Sequence, residues 1–173
     1  MQKRHTDRES YFGEQSQTSK NYYIPYIKEV IGHIPDKVLE VGCGEGGNLL
    51  PFAKAGCRVM GVDIDAMRIE QARTFFTQRH QQGQFIATDI FQLEDKATNF
   101  PLILLHDVIE HIRDKERFLS GLQKHLSSRR SCICRISRLA NAIRRPPADS
   151  TQPHCFTFSL FSTSFPALYT DGY

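Results

Sequence analysis

Short apolar runs alternate with amphipathic stretches along the first 126 residues of the chain. The apolar runs are bounded by Gly, Pro or Asp and predict buried strands at 37–41, 58–63, 84–88 and 101–105. Apolar residues at helical spacing predict helices at 19–32, 48–55, 66–80 and 115–126, the first of them capped by Ser19. Strands that alternate with helices predict an α/β fold with a doubly wound parallel sheet.

The composition of the chain changes near Leu126. The 173 residues include 22 basic and 19 acidic ones, for a formal net charge of +3. Only six of the basic residues, all arginine, and two of the acidic ones follow position 126, so residues 1–126 hold 16 basic and 17 acidic groups. Ten of the eleven glycines also precede that point. We expect a domain at 1–126 and an Arg-, Ser- and Pro-rich tail at 127–173, poorly ordered or with a makeshift edge strand at 131–136.

Several classes of protein do not fit this sequence. No apolar run approaches the roughly 18 residues of a membrane span, and the charged opening at 1–9 does not resemble a signal peptide. The five cysteines have neither disulfide-scaffold nor zinc spacing, so we expect no metal site and a reducing cytoplasm. The arginine pairs of the tail lack interleaved aromatic residues, and we expect no nucleic-acid partner. The oligomeric state is not predicted.

A glycine-rich turn follows the first predicted strand. Residues 42–47 read Gly-Cys-Gly-Glu-Gly-Gly and lead into a predicted helix. Glycines let the backbone turn sharply and approach a ligand, and the helix start presents free N–H groups to it. Glu40, two residues before the first glycine, would repel a pyrophosphate and would attract a cationic group instead.

Acidic residues also end the next two predicted strands. A carboxylate at Asp63 suits the hydroxyl groups of a ribose, and Asp89 suits an adenine amino group. We expect Asp65 to cap the helix that begins at Ala66. Capping is also the common role of a strand-end aspartate, so each residue alone is weak evidence. The combination predicts a nucleoside site.

Four ordered motifs resemble the class I S-adenosylmethionine (SAM)-dependent methyltransferases, a Rossmann-like family. They are E-V-G-C-G-E-G, V-D-I-D, A-T-D-I and H-D-V-I-E-H-I, and the resemblance is strongest to the ubiquinone-biosynthesis-like branch of small-molecule methyltransferases. The resemblance covers about residues 11–126 and implies SAM as the cofactor and a small-molecule methyl acceptor, with O-methylation favoured. The residues that it implies for the cofactor are Glu40, Gly42, Cys43, Gly44, Gly46, Asp63, Ile64, Asp89, Ile90, His106 and Asp107.

The resemblance also implies a lid and a catalytic group. The lid would be the N-terminal helical part, about 1–34, although an aromatic stripe that anchors a helix to the core would explain Tyr22 and Tyr26 equally well. His111 is the first candidate for a base that removes a proton from the acceptor, and His106 competes for that role. Alternatively, Glu110 and His111 begin a helix and only orient the loop.

Two other functions stay open on the residues alone. Gly42, Gly44 and Gly47 also match the G-x-G-x-x-G pattern of a nicotinamide-dependent oxidoreductase, against which Glu40 argues. A non-catalytic protein that binds SAM is the second alternative.

The family's expected Pro-Asp-Gly and fifth strand do not follow Leu126. Codons for residues 138–148, read one nucleotide later, permit Val-Trp-Gln-Met-Pro-Phe-Gly-Gly-His-Gln-Gln, which resembles the family's continuation. We therefore expect that the tail is an out-of-frame translation, that the sheet is truncated after the fourth strand and its following helix, and that turnover is poor.

Overall fold

The sheet has six strands in the order β3-β2-β1-β4-β5-β6. The computed structural model describes residues 7–93, 98–127, 132–136 and 160–162. The strands are β1 (Lys37–Val41), β2 (Arg58–Asp63), β3 (Gln84–Ala87), β4 (Leu102–His106), β5 (Cys132–Ile136) and β6 (Leu160–Ser162). The α-helices are α1 (Arg8–Thr18), α2 (Ile24–Ile31), α3 (Leu50–Lys54), α4 (Ala66–Gln78) and α5 (Lys115–Gln123). A π-helical turn lies at Ser19–Tyr23, and 3-10 turns lie at Gly47–Leu49, Ile90–Gln92 and Ile109–His111.

The predicted α/β, doubly wound class is confirmed. Strands β1 to β5 are parallel to their neighbours, and β6 is antiparallel to β5. The four predicted strands form the parallel sheet, and the structure adds β5, which pairs with β4 along its whole length, and β6, which covers the other side of β5. Residues 132–136 therefore supply an interior strand, since the open edge of β4 offers backbone partners to any extended segment. The rest of the tail lies outside the described residues.

The N-terminal helical segment is longer than the sequence pattern predicts. It runs without a break from Arg8 to Ile31, so the prediction that Ser19 caps its start is wrong. Asp7 caps α1 instead, where its carboxylate accepts from the N–H of Ser10 at 2.9 Å. Ser19 begins the π-helical turn, is fully buried, and donates its hydroxyl to the carbonyl oxygen of Asn48 at 2.7 Å. Single π-helical turns often accompany functional sites.

Two apolar layers flank the sheet. The first packs the N-terminal segment, α3 and α4 on one face, with Phe12, Tyr23 and Phe76 among its buried residues. The second packs α5 on the other face through Phe118 and Leu122. Side chains alternate between faces along a strand, so Glu40 of β1 lies on the face covered by the N-terminal segment. In the described ranges, no helix is long and apolar enough to cross a membrane.

Candidate functional site

Three predicted polar residues lie at the carboxyl edge of the sheet, on the face below the N-terminal segment. Glu40 pairs with Gly61 of β2 and Leu104 of β4. Asp63 and His106 are each two residues beyond those partners and therefore lie on the same face as Glu40. The strand order reverses between β1 and β4, and ligands of doubly wound sheets bind at such a switch point.

The glycine loop contacts the segment that follows β4. Gly42, Gly44 and Gly46 have φ values of +69°, +53° and +81°, which side chains other than glycine rarely adopt. A Cβ atom on Gly42 would lie 2.4 Å from Cγ2 of Val108. The sharp turn and this close approach explain why the loop needs glycine.

Asp63 joins the glycine loop to β2. Its Oδ2 accepts from the N–H of Gly44 at 2.8 Å, and its Oδ1 accepts from the N–H of Asp65 at 2.9 Å. The group is partly exposed, and each carboxylate oxygen retains a further lone pair. Asp63 is therefore fixed in place and still able to accept from two hydroxyl groups. Asp65 caps α4 as predicted, by accepting from the N–H of Met67 at 2.9 Å.

Glu40 is fully buried, and only one of its carboxyl oxygens has a partner. Oε1 accepts from Nδ2 of Asn48 at 2.7 Å, whereas Oε2 has no hydrogen-bond partner among the described residues. Burial raises the pKa of Glu40 to about 8; the nearby Asp63 charge also raises it, and the Asn48 hydrogen bond lowers it. A buried acceptor without a donor is costly, so the site suits a ligand that brings a cation or an N–H donor.

A second buried carboxylate connects the glycine loop to two helices. Glu45 is fully buried, and its Oε1 accepts from Nη1 of Arg8 at 2.8 Å. Nε of Arg68, on α4, lies 4.0 Å from the same oxygen. Arg8 thus holds α1 against the loop. Arg8 and Glu45 are 37 positions apart and no sequence pattern links them, so this contact was not predictable from the sequence.

The end of β4 brings an aromatic ring and a histidine together. His106 is buried, and its ring centroid lies 6.0 Å from that of Tyr23 in the π-helical turn. Asp107, the next residue, has a φ of +51°, and non-glycine residues in this region are often found at functional sites. His111 lies on the following 3-10 turn with an exposed side chain, and its N–H donates to the carbonyl of Val108 at 3.0 Å.

The predicted adenine-side residues divide into exposed and buried ones. Asp89 caps a 3-10 turn by accepting from the N–H of Phe91 at 2.9 Å. Ile90 is buried in the second apolar layer. Ile64 is 82% exposed, and Phe91 is 47% exposed, so these two side chains present apolar surface to solvent beside β2 and β3.

The N-terminal aromatic residues differ in burial. Phe12 and Tyr23 are buried in the core, whereas Tyr22 is 40% exposed and Tyr26 is half-buried. Asn48 is the other contributor that sequence reasoning missed. The sequence feature that could have identified it is a polar residue directly before the buried residues Leu49 and Leu50.

In the described part of the chain, no group of three or more His, Cys, Asp or Glu residues could hold a metal ion.

Comparisons with known proteins identify the family of the chain. The family model described as "Methyltransferase domain" matches residues 38–129, more than half of the chain. The ubiquinone biosynthesis O-methyltransferase of Bartonella quintana is 36% identical over 92 residues, which cover 53% of this chain and 37% of that protein. The chain thus spans little more than a third of the length of this curated relative.

Solved structures give the same fold. PKMT2 from Rickettsia typhi in complex with AdoHcy is 26% identical, with a TM-score of 0.58 over 68% of this chain and 25% of that one. The plantazolicin methyltransferase BpumL, in complex with a desmethylPZN analog and SAH, is 23% identical and shares the fold, with a TM-score of 0.62 over 78% of this chain and 50% of that one. From the family match, the switch-point site and the shared fold together, this chain belongs to the methyltransferase domain family.

Proposed function

We propose that the chain is a SAM-dependent methyltransferase that methylates an oxygen of a small-molecule acceptor. The observation that carries the proposal is the buried Oε2 of Glu40, which has no partner in the described part of the chain and lies at the switch point beside the partly exposed Asp63. The family match supports it, as do relatives named ubiquinone biosynthesis O-methyltransferase and solved relatives that contain AdoHcy or SAH. These names favour methyl transfer over the oxidoreductase alternative.

The residues present fit SAM, which supplies a methyl group on a positively charged sulfur. Glu40 would receive the ammonium of its methionine part, since its buried Oε2 has no donor among the described residues. The loop of Gly42 to Gly46, Cys43 included, would lie against the same part of the ligand. Asp63 would accept from the ribose hydroxyls. Ile64, Asp89 and Ile90 would line the adenine side, and His106 and Asp107 would border the acceptor.

For the proton that a phenol or alcohol loses, His111 is our proposed base. Its exposed position lets it pass a proton to water, which a turnover cycle requires. His106 is buried against Tyr23 and suits a positioning role at the end of β4. Much of the rate would come from holding the acceptor in line with the methyl group away from water.

We assign this function to residues 1–126, with the helical part at about 1–34 as the lid. Its attachment to the glycine loop through Arg8 and Glu45 supports that assignment. We also propose a cytoplasmic location, which the free thiols of Cys43 and Cys57 support. The partner would be a small molecule and not a nucleic acid.

Calorimetry of the full chain with S-adenosylhomocysteine (SAH) and with NAD tests the cofactor. We expect heat of binding with SAH alone; binding of NAD alone would reverse the assignment. Transfer of a labelled methyl group from SAM to a panel of phenols, carboxylates and amines then tests the reaction. SAH binding without transfer to any of them would favour the non-catalytic alternative.

A further inference from the structure

A buried line of hydrogen bonds leads from the N-terminal segment to Glu40. The Ser19 hydroxyl donates to the carbonyl of Asn48, and the Asn48 amide nitrogen donates to Oε1 of Glu40, both at 2.7 Å. All three residues are 1% exposed or less. Asn48 is thus held through its backbone carbonyl by Ser19, and its amide nitrogen faces Glu40.

This orientation leaves two acceptor atoms of these residues without donors from the part of the chain that the structure describes. They are Oε2 of Glu40 and Oδ1 of Asn48, on two side chains that are bonded to each other. Buried polar atoms without partners are uncommon, and two on bonded neighbours call for an explanation. The titratable groups that act on Glu40 here, Asp63 and Cys43, bring no positive charge. A ligand with several N–H donors would satisfy both atoms, and an ammonium has three.

We propose that Asn48 is a ligand-binding residue: its amide nitrogen holds the Glu40 carboxyl and its amide oxygen accepts from the ammonium of the ligand. This assignment rests on the proposed function and extends it to a residue that lies outside the glycine motif. The Asn48 hydrogen bond also lowers the pKa of Glu40 and so favours the anionic form that an ammonium needs.

Two probes separate this role from a structural one. SAH carries the ammonium, whereas 5′-methylthioadenosine has the same nucleoside without it. In the full chain, we expect Asn48→Ala to weaken the affinity for SAH at least about tenfold, because hydrogen bonds to a charged group are lost. The affinity for methylthioadenosine should change less than about twofold. Both dissociation constants are measured by calorimetry.

Ser19→Ala is the matched control. It removes a buried hydrogen bond to the same residue but leaves the Asn48 amide in place. We expect it to lower the thermal unfolding midpoint without changing the ratio of the two affinities. A selective loss of SAH in Ser19→Ala as large as that in Asn48→Ala would overturn the assignment to the amide.

Asn48→Ser provides a second test if the alanine variant does not fold. It keeps a hydroxyl in the buried position but removes the amide oxygen, and we expect the same selective loss of SAH. If the variants weaken the binding of both probes equally, or the binding of neither, this assignment is overturned and the proposed function stands. If the unaltered chain binds neither probe, both are overturned.

Discussion

Glu40 makes the stability of the protein depend on pH. Its pKa is about 8 in the folded chain against an ordinary 4.5, because burial disfavours the charged form. The folded state therefore holds a proton that the unfolded state releases between those pH values. The contribution to stability is complete below about pH 4.5 and is lost as pH rises through about 8.

Glu40→Gln removes this titration and keeps an oxygen that accepts from Asn48. We expect the variant to be more stable than the unaltered chain above pH 8, by at most about 5 kcal/mol, with a flatter profile below it. Urea unfolding at pH 5, 7 and 9 measures the difference, with the exposed Glu110→Gln as the control. Parallel profiles for Glu40→Gln and the unaltered chain would contradict the raised pKa.

His111 provides a catalytic prediction. If it is the base, His111→Ala lowers kcat for a phenol about 100-fold or more, because general-base catalysis contributes at least that much. The dissociation constant for SAH should not change, since the cofactor residues lie elsewhere. His80→Asn is the control: it changes an exposed histidine at the end of α4 whose φ of +53° asparagine tolerates. An unchanged kcat in His111→Ala would assign the residue to loop orientation.

Sequence spacing identifies some site residues better than others. Glu40 and Asp63 are predictable because their positions at strand ends fix where they lie. Asn48 is not, because its contact with Glu40 depends on the 3-10 turn at Gly47–Leu49, which no periodicity shows. Ile90 lies in a 3-10 turn that turns it into the core and exposes Phe91.

At the scale of elements, α1 rests directly on the glycine loop. A Cβ atom on Gly47 would lie 2.7 Å from the carbonyl oxygen of Phe12 and 2.7 Å from Cβ of Gln15. Arg79 of the turn after α4 holds the outer side of α1, with its guanidinium 4.6 Å from the centroid of the Phe12 ring. The helix is thus confined between the loop and α4.

Gly47→Ala should push α1 away from the loop. We expect a loss of about 1 to 3 kcal/mol in unfolding free energy, as in other overpacked sites, and faster amide hydrogen exchange across 8–18. Gly13→Ala is the matched control on α1, because nothing lies within 4 Å of its Cβ position. It should stabilise the helix by about 0.5 to 1 kcal/mol. Equal effects of the two changes would contradict the close packing.

The elements that the pattern missed had little apolar signal. Helix α1 buries only Phe12 and Gln15, so its sequence has no apolar stripe to read. Strand β5 lies in a segment whose arginines and serines predict a tail with at most a makeshift edge strand at 131–136, and its pairing with β4 defines its bounds. Strands β1 and β2 are rich in buried valine, leucine and methionine, and they were predicted correctly.

For the whole molecule, β5 provides the connection between the two compositional parts of the chain. Ile133 pairs with Ile103 of β4 on one side and Phe161 of β6 on the other. Ile133→Pro removes one backbone donor, and we expect a loss of about 1 to 3 kcal/mol with increased light scattering as the edge of β4 opens. Ile133→Val keeps the ladder and should behave as the unaltered chain. An unaffected proline variant would mean that β4 does not need β5.

The origin of the tail is a prediction about the gene. If the tail is out of frame, codons 128–149 read one nucleotide on will spell the family's continuation. Sequencing that region of the gene tests this, and any other reading rejects it.

The doubly wound class was predictable for the whole molecule because strands β1 to β4 and the helices between them define it. The number of strands in the sheet was not, because it depends on the tail.

The position of Cys43 has a consequence for chemical labelling. Its thiol is buried within the glycine loop, and burial together with the charges of Glu40, Asp63 and Glu45 raises its pKa well above the ordinary value. Thiolate is the form that reacts with alkylating reagents and oxidants, so the closed loop protects this cysteine from both. The rate of alkylation at Cys43, followed by mass spectrometry, would therefore report how often the loop opens.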